Sequence, residues 1–224
     1  MPALPVMLSN ELAALLGVGG WLTDPGERLT YGYDNSRRMS LPDAVALPTT
    51  QAHVVALVRA CRAYRVPLVA RGRGTNTTGA AVPVAGGVVV SFERMNRILA
   101  IRPGDRCAVV EPGVLNGDLQ RALQAHGLFW PPDPTSADYS SIGGNLACNA
   151  GGPRAVKYGA SRDNVLGLVA VTGTGETIRT GTRTTKGAVG YDLTRLLIGS
   201  EGTLALMRAV KAPVSYTHLT LPTN

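Results

Sequence analysis

The chain has 224 residues, 45% hydrophobic and 17% charged, enough to bury a core and too apolar for a disordered chain. Its formal charge is +7, but the cations are scattered singly and only 5% of residues are aromatic, which argues against a nucleic-acid surface and suits an anionic small ligand. Three cysteines exclude a disulfide framework or a zinc site, and no apolar run reaches the roughly 18 residues of a membrane span.

In chain order, residues 9–17 read as a short helix capped by Ser9 and stopped by Gly17. Residues 21–40 are turn-rich, with Asp24-Pro25-Gly26 as the clearest turn, so residues 1–40 are expected to form an extension and 41–213 the organised domain. Thr50 can cap a helix whose stripe is Val54, Leu57, Val58 and Cys61; it ends before Val66-Pro67. Residues 66–70 then form a short strand, and 86–92 another β-rich run. Hairpins are expected at 98–111, turning at Pro103-Gly104-Asp105, and at 165–180, turning at Gly173-Thr174-Gly175. Helices are expected at 116–126 and 192–198, and a last strand at 203–210. One βαβ-like unit followed by hairpins and short helices points to an α+β fold in two lobes: a small βαβ lobe, and a mixed or antiparallel sheet with flanking helices.

Of the 27 glycines, two groups carry chemistry. The first is Arg71-Gly72-Arg73-Gly74-Thr75-Asn76-Thr77-Thr78-Gly79, directly after a strand. Glycine lets backbone N–H groups approach an anion closely. The third glycine comes too late for a dinucleotide fingerprint, and Ala80-Ala81 follow where a P-loop needs Lys-Ser/Thr. An anion site remains, beside the plainer reading of a tight turn. The second is Ser141-Ile142-Gly143-Gly144-Asn145, running on to Ala150-Gly151-Gly152. Ser141 can cap a helix whose first turn holds two glycines, each costing about 1 kcal/mol relative to alanine. Close approach of a ligand to the helix end would offset that cost; close helix packing is the alternative.

The ordered pieces LPTTQAHVVALVRAC, VPLVARGRGTNTTG, RMNRILAI, VVEPGV, GLFWPPDPTS, SIGGNLACNAGG, KYGASRDNV and YDLTRLLIGSEGTL together resemble the vanillyl-alcohol-oxidase/p-cresol-methylhydroxylase flavoproteins, in particular the branch that holds glycolate oxidase and the D-lactate and D-2-hydroxyglutarate dehydrogenases. The resemblance implies a PCMH-type FAD-binding domain. In it Arg71–Gly79 wraps the FAD pyrophosphate and Ser141–Asn145 closes from the other side. Pro132-Asp133-Pro134 and Ala150-Gly151-Gly152 would lie near the flavin ring, and Glu201-Gly202-Thr203 would line the adenosine or ring region. Some relatives attach FAD through a histidine in the first loop; Thr75-Asn76-Thr77 stands there, so FAD is expected to be non-covalent. The implied reaction is oxidation of a 2-hydroxy acid, with hydride passing to flavin N5 and electrons then reaching a quinone, cytochrome or iron–sulfur partner. The alternatives are a sugar or alcohol oxidase of the same fold using O2, or a non-catalytic FAD-binding subunit.

No catalytic base and no metal ligand is assigned; the resemblance places the base in a cap domain beyond this chain. His53, His126 and His218 are poor substitutes for it. Cys148 reads as a small buried residue, Tyr191-Asp192 as helix capping, and Arg37-Arg38 as a solvated pair. The segment from Val214, VSYTHLTLPTN, does not continue the family pattern and matches the in-frame translation of a transposase-type sequencing adapter, so 214–224 is expected to be non-native and the chain a fragment. The start lacks a secretion signal's basic region. A cytoplasmic protein is expected, with peripheral attachment to the inner membrane left open.

Overall fold

The computed structural model describes residues 4–182 and 190–216. Helix α1 (Val6–Leu16) begins before the expected cap: Ser9 lies inside it, and its Oγ accepts from Trp21 Nε1 at 3.0 Å. Asp24-Pro25-Gly26 opens a helix, α2 (Pro25–Leu29), where a turn was expected. Asp24 Oδ1 accepts from the N–H groups of Gly26 and Glu27, and proline at the first helical position is pre-set for that geometry. Thr50 caps α3 (Gln51–Ala63) as its spacing implies, accepting from His53 N.

The first sheet has the order β1-β2-β4-β3, built from Trp21–Leu22 (β1), Ala44–Ala46 (β2), Leu68–Arg71 (β3) and Val88–Ser91 (β4). β2 and β3 pair in parallel with β4, while β1 runs antiparallel to β2. Parallel strands need a crossover, and α3 carries the chain from β2 on one side of β4 to β3 on the other. Its buried stripe, Val54, Leu57, Val58 and Cys61, packs with Leu8 and Leu12 of α1 and with Val88 and Val90 of β4. The N-terminal residues expected as an extension are therefore part of this lobe's core.

The second sheet is antiparallel throughout, in the order β5-β6-β10-β8-β9: Ile98–Arg102 (β5), Cys107–Val110 (β6), Gly167–Thr172 (β8), Thr177–Gly181 (β9) and Ala205–Pro213 (β10). Both expected hairpins form. Against this sheet pack Leu119 and Leu123 of α4 (Asn116–Gln124), Ile142 and Leu146 of α5 (Ile142–Ala147), and Leu197 of α7 (Leu193–Leu197), around a fully buried Trp130. Between them lie the short α6 (Ala155–Tyr158) and a 3-10 turn, Ser161–Asn164. Val171 of β8 and Leu206 of β10 join the first lobe's core beside α3, so the lobes share apolar contacts. The fold is α+β in two lobes, as the element order implied.

Order continues past the boundary expected at 213. Val214 is buried and its N–H donates to Arg106 O, and Ser215–Tyr216 (β11) pairs with Leu128–Phe129 (β7). Residues 217–224, His218 among them, lie outside the described residues.

Candidate functional site

Strand β3 delivers the chain directly into the first glycine loop, and Arg71, its last residue, is buried. Its guanidinium donates to Tyr33 O at 2.6 Å and to Thr30 O at 3.2 Å and lies over the rings of Tyr31 and Tyr33. Burial lowers its pKa from the ordinary arginine value, an effect opposed by Tyr33 and Asp34. Arg71 thus fastens the loop to residues 30–33, and a Cβ on Gly74 (φ +66) would meet that same guanidinium. Beyond it, the backbone N–H groups from Gly72 through Thr77 donate to no partner among the described residues. Asn76 braces their far end: its Oδ1 accepts from Thr78 N, Thr78 Oγ1 and Gly79 N, and its carbonyl accepts from Asn35 N. Successive backbone N–H groups turned to one side in this way make anion-binding concavities in other proteins.

The second loop has a different character. Ser141 caps α5, with Oγ accepting from Gly144 N at 3.3 Å. The amides that a helix start normally leaves open are already engaged, Ile142 N on Val114 O and Gly143 N on Pro112 O. The expected donor array at this helix end is therefore spent within the protein, and packing accounts for one of its glycines. A Cβ on Gly143 would lie 2.6 Å from Pro112 Cβ. The two loops touch: a Cβ on Gly72 would lie 2.6 Å from Ser141 Oγ and 3.2 Å from Gly144 Cα. Glycine at both positions lets the loops close to backbone contact.

Between them runs a cleft lined by Arg71, Gly72, Arg73, Gly74, Thr75 and Asn76 on one side and by Ser141, Gly143, Gly144, Asn145 and Ala150 on the other, with Glu201 and Gly202 also reaching it. Asn145 is held by its Nδ2 donating to Asn116 Oδ1, which also accepts from Trp130 Nε1. Several expected residues stand elsewhere. Thr77 and Thr78 are exposed, Gly79 lies against Arg38, Ile142 is in the core, and Thr203 lines a separate pocket. Pro132, Asp133, Pro134, Gly151 and Gly152 do not line the cleft. Asp133 instead pairs with Arg154 and abuts Gly152, while Pro132 O accepts from Asn116 Nδ2. Residues not anticipated complete the walls, notably Ala80, Ala81, Phe92, Pro112 and Ala205–Met207. The last three belong to β10, and only the pairing of strands could have placed them there.

Cys148, at the end of α5, also faces the cleft; burial, then Glu201 and Asp34, push its thiol up to about 11, so it stays a neutral thiol at pH 7. Arg73 is exposed and has no ion pair among the described residues. His53 and His126 line no part of the cleft. Among the described residues no cluster of metal-ligating side chains occurs, and no helix is long and apolar enough to cross a membrane.

Residues 42–181 match the model of a family described as an FAD binding domain. The chain is 47% identical over 181 residues to glycolate oxidase subunit GlcD of Bacillus subtilis, covering 80% of this chain and 38% of that protein. It is 41% identical over 222 residues to D-2-hydroxyglutarate dehydrogenase of Stutzerimonas stutzeri, covering 96% and 48%. Among solved structures, an alkyldihydroxyacetonephosphate synthase superposes with a TM-score of 0.86 at 26% identity, over 96% of this chain and 41% of that one. The chain thus spans less than half the length of these relatives.

Proposed function

Because the chain belongs to the FAD-binding-domain family, with FAD as its cofactor, we propose that it forms the cofactor-holding part of an enzyme that oxidises a small D-2-hydroxy acid and keeps its FAD non-covalently. The observation that carries this reading is the meeting of two glycine loops, one of which presents the unengaged amides Gly72–Thr77. A dinucleotide pyrophosphate is the anion that such a cradle suits, because both phosphates can take backbone donors while the flanking nucleosides run along the cleft. Arg73 adds a cation with no ion pair among the described residues. Gly144 and Ser141 would supply a close wall, and Glu201, Gly202 and Asn145 would face the nucleoside portions. No residue of the first loop offers an imidazole for covalent attachment.

When bound, FAD supplies the two-electron acceptor for oxidation at the carbinol carbon. This chain's residues hold and orient it, and the walls formed by Phe92, Ala205 and Leu206 keep the cleft apolar. The names of the glycolate oxidase and the D-2-hydroxyglutarate dehydrogenase support a 2-hydroxy acid as substrate. The bound cofactor would hand its electrons to a quinone, cytochrome or iron–sulfur partner, a quinone implying attachment at the membrane face.

The test is anaerobic titration of the full-length protein, reconstituted with FAD, with glycolate, D-lactate and D-2-hydroxyglutarate. Bleaching of the flavin absorbance by one of these acids is expected. No flavin spectrum after reconstitution would remove the reading, and rapid reoxidation by air would favour an oxidase.

A further inference from the structure

Residues 32–40 double back on themselves at the end of the N-terminal segment. Tyr33 and Met39 form an antiparallel bridge, and Ser40 N donates to Gly32 O at 2.9 Å. Asp34 closes the tip: its Oδ1 accepts from Ser36 N at 2.9 Å and its carbonyl accepts from Arg37 N at 3.4 Å. Arg37 completes the turn in a left-handed conformation, with φ +66. The shape of this segment is thus set by bonds within it.

It meets the first glycine loop at three places. At the loop's entrance, the Arg71 guanidinium holds the carbonyls of Tyr33 and Thr30. In the middle, Asn35 N donates to Asn76 O at 3.0 Å and Asn35 Nδ2 to Thr75 O at 3.4 Å. At the exit, a Cβ on Gly79 would lie 3.4 Å from Arg38 Cδ and 3.5 Å from Ser36 Oγ. None of residues 30–40 lines the cleft, whereas Gly72, Arg73, Gly74, Thr75 and Asn76 do. The loop therefore has its back on the doubled segment and another side on the cleft.

The middle contact fixes direction as well as position. A trans peptide is planar, so its C=O and N–H point opposite ways. Asn35 engages the carbonyls of Thr75 and Asn76. That turns the N–H groups of the same two peptides, those of Asn76 and Thr77, away from the doubled segment. Both belong to the run of amides that donate to no partner among the described residues. Without this contact the two peptides are free to rotate, and a peptide turned over presents a carbonyl, which repels an anion.

We propose that Asn35 is a positioning residue for the cofactor: by holding two carbonyls behind the loop, it aims the amides of Asn76 and Thr77 at the FAD pyrophosphate. The inference rests on the FAD reading of the cleft and adds to it a residue that touches the loop and not the cofactor.

Two variants grade the contact. Asn35→Ala removes the donor to Thr75 O, and Asn35→Pro removes the donor to Asn76 O as well. FAD affinity of the purified chain is measured by flavin-fluorescence titration, and the ligand-free melting temperature is recorded. Amide hydrogen exchange at Asn76 and Thr77 is followed by NMR with and without saturating FAD. In the parent, FAD is expected to slow exchange at both amides. Asn35→Ala should bind FAD about three- to tenfold more weakly, the scale of one hydrogen bond, with less slowing at both amides and an unchanged melting temperature. Asn35→Pro should bind more weakly still. Unchanged FAD affinity in Asn35→Ala overturns the proposal, whether or not the proline variant folds. So does weaker binding with undiminished slowing at the two amides, which would make Asn35 a brace for the loop as a whole. FAD binding by the parent without slowed exchange at either amide also overturns it, and leaves the FAD reading standing. Failure of the parent to bind FAD at all would instead remove the FAD reading, and the proposal with it.

Discussion

Two arginines a single residue apart play opposite parts. Arg71 is buried, with its fork closed on the carbonyls of Tyr33 and Thr30, whereas Arg73 is exposed at the cleft. A lysine at 71 keeps the charge but cannot span both carbonyls. Arg71→Lys is therefore expected to lower the ligand-free melting temperature, by an amount equivalent to about 1–3 kcal/mol. Arg73→Gln should leave that temperature unchanged and weaken FAD binding, most visibly at low salt. Thermal melts and flavin titrations of the two variants check the contrast, and the same loss of stability from both would refute it. Glu111 gives a pH test. Its side chain is 1% exposed and pairs with Arg97 at 2.8 Å. Burial raises its pKa, but the hydrogen bonds and charge of Arg97 more than reverse this, leaving it below the ordinary value. A carboxylate whose pKa is lowered on folding stabilises fully above its unfolded pKa and loses that contribution as pH falls through the folded value. Glu111→Gln should thus melt lower than the parent at pH 7, with the gap narrowing below about pH 4, near the unperturbed glutamate value. A gap independent of pH would show that the charge is not the source.

Within α5, adjacent glycines answer to different constraints. Gly143 backs onto Pro112, and the Cβ of an alanine there would lie 2.6 Å from Pro112 Cβ and 2.9 Å from its carbonyl oxygen. At Gly144 the nearest atoms to such a Cβ are Ser141 Oγ at 3.1 Å and Gly72 Cα at 3.9 Å, and helix propensity gains about 1 kcal/mol. Gly143→Ala is expected to destabilise by about 1–3 kcal/mol through overpacking. Gly144→Ala should fold nearly as well as the parent but weaken FAD binding several-fold, because its methyl narrows the cleft wall. Paired melting and flavin-affinity measurements separate these outcomes. The contrast also shows what the sequence could reveal. Ser141 as a cap, Thr50 as a cap and both hairpin turns were legible because each rests on chemistry within four residues of itself. The two glycines of α5 were equally visible, but whether they served packing or a ligand depended on Pro112 and Gly72, which only tertiary structure brings near. β2 and β7 were missed because strands of two or three residues carry no periodicity. Asp24-Pro25-Gly26 read as a turn because a helix N-terminus and a turn share residue preferences.

At the scale of the molecule, the cleft draws on both lobes, and this sets how cofactor and stability are linked. The lobes are not independent: Val171 and Leu206 of the antiparallel sheet are buried with Val54, Leu57 and Val58 of α3. The N-terminal helix is held in the same cluster through Leu8 and Leu12. A shared core makes the ligand-free chain unfold in one cooperative transition, whereas lobes joined by a cleft alone would give two. A ligand seated on the loop after β3 and against α5 must be released before either lobe opens, so FAD should raise the whole transition and not one part of it. The size follows from mass action, about 2.7 kcal/mol of added stability at a free FAD concentration one hundred times Kd. The rise should continue with the logarithm of concentration, and riboflavin, which lacks the pyrophosphate, should give much less. The net charge of +7 adds a kinetic signature, since a cationic protein attracts a dianionic cofactor and salt screens that attraction. Association of FAD followed by stopped-flow flavin fluorescence should therefore slow as salt rises. Calorimetry that resolved two transitions, with FAD shifting only the upper or only the lower, would show instead that one lobe alone holds the cofactor.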